Sequence, residues 1–255
     1  MAGTVQGSAA GGELSVSTTD HEMKTQEAVN PESRIRELFA EYPDVLYGFC
    51  GISYSPYSEQ YRSAIVFAVP YGKQLTTETY QEQDFEDGIR AARMRLEAIL
   101  ERLEPLLHAC GVAYNIPPVA QSSETELLAP FSFKYAATRA GIGWIGKNDV
   151  VITEKYGPRV RLSAVLVDAP LSFGEPITES KCPDGCTLCV ELCPCNALHG
   201  VKWDASKQRS ELIDYQRCNR MRSAFIPKLG RKHACGRCLV ACPFGQGNRQ
   251  DPYES

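Results

Sequence analysis

Eight of the chain's eleven cysteines stand in two matched sets near the C-terminus: Cys182, Cys186, Cys189 and Cys193, then Cys218, Cys235, Cys238 and Cys242, with a proline after the last cysteine of each. The spacings are C-x3-C-x2-C-x3-C-P and C-x16-C-x2-C-x3-C-P. Two [4Fe–4S] cubanes need eight thiolates, and in paired runs of this kind the cysteine before proline reaches over to the other cluster. The expected ligand sets are therefore Cys182, Cys186, Cys189 and Cys242 for one cluster, and Cys218, Cys235, Cys238 and Cys193 for the second. The longer first gap and the distant Cys218 are compatible with this, because ligation constrains only where the thiolates end up.

Two other uses of cysteine fit less well. Structural zinc also takes paired C-x2-C spacings in closed four-thiolate sites, but zinc does not call for a proline after each fourth cysteine. Disulfides are disfavoured by the odd cysteine count and by the lack of a secretory segment. Cys195, two residues past a ligand, reads as a spare thiol, and Cys50 and Cys110 as small buried hydrophobes.

The cysteine block needs about a quarter of a 255-residue chain that is 43% hydrophobic, so a larger domain precedes it. Residues 1–30 are rich in Gly, Ser, Thr and acidic side chains without apolar periodicity and read as a disordered tail. The remaining boundaries are 31–175 for an α+β domain and 176–255 for the cluster domain. No apolar run is long enough to span a membrane, and a reducing cytoplasm suits the thiols. The net charge of −4 hides an asymmetry: residues 200–255 carry eleven Lys and Arg against five acids. These cations either offset the negative charge of thiolate-bound clusters or form a nucleic-acid face; the first is favoured, since an acidic chain is a poor general binder of polyanions.

In the larger domain, Ser63 to Val69 reads as a buried strand ended by Pro70 and Gly72. Apolar residues three or four apart from Glu86 to Cys110 predict a long helix, kinked by Pro105 and stopped by Gly111. A further helix is expected around Phe133 to Ala140. Val150 to Thr153 and Val160 to Val167 read as the two strands of a hairpin turning at Tyr156-Gly157-Pro158-Arg159. Between helix and hairpin lies Arg139-Ala140-Gly141-Ile142-Gly143-Trp144-Ile145-Gly146-Lys147-Asn148. Its three glycines allow a close approach to a ligand; Trp144 could lie on a large ring and Lys147 could meet a phosphate or amide oxygen. A plain connector with one buried Trp is the simpler alternative.

Together, the Ala-Gly-Ile-Gly-Trp-Ile-Gly-Lys-Asn segment, the Gly157 to Leu162 stretch, the two cysteine sets and Cys218 after Leu212-Ile213-Asp214-Tyr215 resemble the epoxyqueuosine reductase family, cobalamin-dependent iron–sulfur enzymes related to reductive dehalogenases. Tyr61 to Val66 resembles the family's early strand, and Tyr80 with Asp84-Phe85 its Tyr…Asp-Tyr-His segment, with Glu86 at the histidine. The resemblance implies a nitroreductase-like mixed-sheet domain followed by a bacterial-ferredoxin-like domain with two [4Fe–4S] clusters. It implies cobalamin near Gly141, Gly143, Trp144, Ile145, Gly146, Lys147 and Asn148, and reduced ferredoxin or flavodoxin as electron donor. The substrate would be a small molecule or a modified nucleoside, epoxyqueuosine in transfer RNA among them. The chain departs from the family pattern at Leu127, where an acidic proton donor is expected, so a solvent proton or Glu126, the candidate acid, would have to stand in. It also ends at Ser255 without the C-terminal helical extension that helps some members hold transfer RNA. The alternative is an electron carrier or corrinoid-reducing partner without its own substrate turnover.

Overall fold

The computed structural model describes residues 30–72, 75–118, 129–224, 227 and 235–246. The expected tail up to residue 29 and the candidate acid Glu126, with Leu127, lie outside the described residues. The chain opens with helix α1 (Pro31–Ala40), which starts at Pro31 because Asn30 caps it, its side chain accepting from the Glu32 amide at 3.0 Å. A four-stranded sheet follows, in the order β1 (Leu46–Gly51), β2 (Ser63–Pro70), β6 (Val160–Val167), β3 (Tyr114–Asn115). A second sheet pairs β4 (Trp144–Ile145) with β5 (Val151–Ile152). Every pairing among the described strands is antiparallel, where a mixed sheet was expected; the α+β class is as anticipated.

β2 is apolar throughout because both of its faces are covered. Side chains alternate across a strand, so Ile65, Phe67 and Val69 point into one core with α1 and the long helix α2 (Glu82–Ala109), whose Ala92, Leu96, Ile99, Leu103 and Leu107 line the shared face. Ala64 and Val66 point the other way, against α3 (Phe133–Arg139) through Ala136 and Ala137. α2 continues through Pro105 to Ala109 and closes at Gly111, where Gly111 N–H donates to His108 O and Val112 N–H to Leu107 O, both at 3.0 Å. This pair of bonds satisfies two of the last carbonyls.

The expected hairpin is not formed. β5 pairs with β4, and β6 lies in the main sheet against β2 over the full register from Ser63↔Val167 to Pro70↔Val160. The turn closes locally on itself, through two Thr153–Gly157 backbone bonds of 2.9 and 2.8 Å. Eight residues of apolar partner on β2 outweigh the two that β5 offers, and that partner is remote in sequence. Among the described residues after β6 are four short helices of the cysteine segment: α4 (Leu188–Glu191), α5 (Arg209–Leu212), α6 (Tyr215–Ser223) and α7 (Arg237–Val240). No helix among the described residues is long and apolar enough to cross a membrane.

Candidate metal centre

The eight thiols gather around two separate gaps. Cys182, Cys186, Cys189 and Cys242 line the first, a cavity of about 20 Å³ closed by Lys147, Asn148, Ile152, Leu188, Pro243 and Phe244. Cys193, Cys218, Cys235 and Cys238 line the second, of about 250 Å³, together with Cys195. The cysteine preceding each proline thus sits with the opposite set. Among the described residues no three His, Cys, Asp or Glu side chains close on a point as the ligands of a single ion do. A cubane asks for something different, a ring of thiolates around a core several bonds across. The thiols also raise one another, within each set and, from Cys189 to Cys238, between them. Burial lifts Cys189 to about 11, with Cys182 and Cys186 adding to it. Burial likewise pushes Cys242 up to about 12, reinforced by Cys182, and raises Cys218, to which Cys235 and Cys193 contribute. Thiols this reluctant to ionise alone are deprotonated by a bound cationic core. The donor set therefore fits two cubanes. Ala197 N–H, which donates to Cys193 Sγ at 3.3 Å, supplies the kind of bond that stabilises a coordinated thiolate.

The loops that carry these thiols are held from below by the glycine-rich segment. Lys147, 4% exposed, donates through Nζ to Pro183 O, Asp184 O and Cys186 O at 2.9, 2.8 and 3.0 Å. One buried ammonium with three carbonyls satisfies its donors and freezes the loop between the first two ligands. Asn148 donates from Nδ2 to Cys238 O at 3.2 Å, so adjacent residues of one segment grip the two cages. Arg159 Nη1 donates to Leu239 O and Cys242 O, both at 3.2 Å, and Nη2 to Phe244 O. Trp144 is fully buried, with Phe244 edge-on at 5.1 Å between centroids and Cys182 and Cys242 in the same apolar cluster.

The remaining residues assigned to a corrin have the same environment. Gly143, Trp144, Ile145, Gly146, Lys147 and Asn148 are all buried, and only Gly141 is exposed. A Cβ at Gly143 would strike the Ile152 carbonyl and one at Gly146 the Ile152 side chain. The close approach that these two glycines allow is to the chain itself. The segment fits the cysteine cage and presents no open face of residues 143–148 to a corrin.

Several supports carry no local sequence signal. Tyr80 donates its hydroxyl to Cys235 O, whose residue adopts φ 58°, and Phe85 packs with Val240 of α7. Asp149, 5% exposed, binds Lys134 Nζ at 2.6 Å and Arg209 Nε at 3.2 Å beside the second cage. These contacts join residues far apart in the chain. Cys50 is buried in the main core as expected, its thiol lifted to about 12 by burial, whereas Cys110 is half-buried at the end of α2.

No family model matches the chain. Among curated proteins it is similar to an epoxyqueuosine reductase of Bacillus cereus, 29% identical over 200 residues, 73% of this chain and 49% of that protein. A Pseudomonas aeruginosa epoxyqueuosine reductase is 34% identical over 174 residues, 64% of this chain and 45% of that protein. The chain thus spans about half the length of these relatives. Among solved structures, an epoxyqueuosine reductase bound to an epoxyqueuosine-modified tRNA-Tyr stem loop superposes with a TM-score of 0.57 at 21% identity, covering 86% of this chain and 67% of that one. A reductive dehalogenase with a mechanism of B12-dependent dehalogenation gives 0.61 at 19%, covering 91% and 34%. In sequence the chain is similar to epoxyqueuosine reductases, and it shares its fold with them and with reductive dehalogenases.

Proposed function

We propose that the chain is an iron–sulfur oxidoreductase of the epoxyqueuosine-reductase type that relays single electrons through two [4Fe–4S] clusters in a reducing cytoplasm. The observation that carries this reading is the exchange of Cys193 and Cys242 between the two cages. The exchange matches the paired ferredoxin-type run, in which the cysteine before proline binds the other cubane. In the proposed work of the chain, Cys182, Cys186, Cys189 and Cys242 hold one cluster and Cys193, Cys218, Cys235 and Cys238 the other. Lys147 and Arg159 keep the loops closed over them and place positive charge beside clusters that are anionic once four thiolates are bound. A reduced ferredoxin or flavodoxin is the proposed donor.

For the acceptor, the likeness to B12-dependent enzymes supports a cobalamin-type centre, which when bound supplies a metal able to deliver electrons to an electrophilic carbon. Residues 143–148 are buried against the chain itself, with Lys147 and Asn148 turned to the cysteine loops. Epoxyqueuosine in transfer RNA is the substrate proposed from the relatives, with Glu126 as the proton donor in place of Leu127. The same buried segment favours a second reading, an electron carrier that serves a partner and turns over no substrate itself.

Anaerobic reconstitution with iron, sulfide and hydroxocobalamin, followed by metal analysis and a visible spectrum, tests these readings. About eight irons per chain is the outcome expected for two cubanes; a colourless protein holding zinc overturns the proposal. Retained cobalt supports the enzyme and its absence the carrier. If cobalt is retained, Glu126→Gln is expected to slow epoxyqueuosine reduction, and an unchanged rate removes Glu126 from the mechanism.

A further inference from the structure

The second cage holds a thiol more than a cubane needs. Cys195 lines the same cavity as Cys193, Cys218, Cys235 and Cys238, and its Sγ lies 3.8 Å from Cys193 Sγ. The two sulfurs are in contact, so a small movement of either side chain brings its sulfur to the place that the other occupies. They are unequal at rest, since Cys193 receives the Ala197 amide at 3.3 Å, a bond that favours it as the bound thiolate.

Resting on the two-cluster reading, we infer that Cys195 is a reserve ligand that takes the Cys193 corner of the second cluster by thiol exchange. The Cys195 thiol gives up its proton as its sulfur bonds to iron, the iron–Cys193 bond breaks, and Cys193 leaves as the thiol. No electron is gained or lost, and the proton passes from one sulfur to the other. The first cage has no such fifth cysteine in its lining, so the exchange belongs to the second cluster alone.

The test uses the full chain loaded anaerobically with iron and sulfide, read by iron content, the electron paramagnetic resonance of the dithionite-reduced protein, and mapping of iodoacetamide-alkylated peptides. Wild type is expected to hold about eight irons, two cubanes, with Cys195 alkylated and Cys193 protected. Cys193→Ala is expected to keep both clusters while Cys195 becomes protected. Cys193→Ala/Cys195→Ala and Cys218→Ala should each retain only about four irons, one cubane. Cys218→Ala serves as the control that a chain with a single cluster still folds. A Cys193→Ala protein that falls to the level of the double variant, or one that keeps both clusters with Cys195 still alkylated, overturns the inference and leaves the two-cluster reading standing. Wild type without iron overturns both.

Discussion

At the scale of single residues, the cage depends on polar side chains that are buried to hold backbone rather than to meet solvent. Lys147 is the clearest, because its three carbonyl partners belong to the loop between Cys182 and Cys186. Lys147→Met keeps the length of the side chain and leaves those acceptors unpaired. It is expected to cost about 2 kcal/mol and to lose the first cluster preferentially, measured as a fall in iron per chain together with a lower thermal midpoint. Lys147→Arg is not expected to rescue it, since a planar fork does not direct its donors as an ammonium does. Gly157 is a different case: it adopts φ 55°, and a Cβ there would meet the Phe244 carbonyl next to the second Cys-Pro pair. Gly157→Ala is expected to destabilise by roughly 2–4 kcal/mol through strain and overpacking. Gly72→Ala, which meets nothing within 4 Å, should be close to neutral. Chemical denaturation of the two variants side by side checks the contrast.

At the scale of elements, β2 is the organising strand, with β1 on one edge, β6 on the other and helices over both faces. Phe67, wholly buried and 5.4 Å from the Phe39 ring, ties the sheet to α1. Truncating it to Ala should remove about 3–5 kcal/mol, whereas Met94→Ala on the solvent side of α2, at 64% exposure, should change stability by less than about 0.5 kcal/mol. A comparable loss at both positions would mean that the core is not centred on β2. The pairing of β6 with β2 also explains why the turn between β5 and β6 is not a hairpin turn. It delivers Arg159 and Gly157 to the cysteine loops while β6 returns to the main sheet.

At the scale of the whole molecule, the apolar cores and the cysteine cage are held by different forces. The sheet and its helices have extensive buried hydrocarbon, whereas the cysteine segment consists of short helices around thiols and carbonyls. Stripping iron from the loaded protein should therefore act locally, because the metal bonds are the folding energy of such a segment. Amide exchange is expected to rise across residues 182–195 and 235–246 and to stay slow in β2 and β6. Uniform loss of protection would show instead that the cage supports the sheet.

Much of this was written in the chain as a linear code. The two cysteine sets, their prolines, the apolar repeat of α2 and the uninterrupted run of β2 are local patterns, and they named the thiols of each cage and the α+β class before any coordinates. The sequence did not show what the Gly-Trp-Ile-Gly-Lys-Asn segment touches. Glycines that permit close approach look the same whether a ligand or the chain itself comes near, and only the packed molecule placed Ile152 against them and the cysteine loops on Lys147 and Asn148. The partner of β6, the reach of Arg159 and the meeting of Cys195 with Cys193 inside one cavity were likewise settled by tertiary structure, because spacing along a chain fixes which residues are neighbours in sequence but not which distant surfaces bury the most area together.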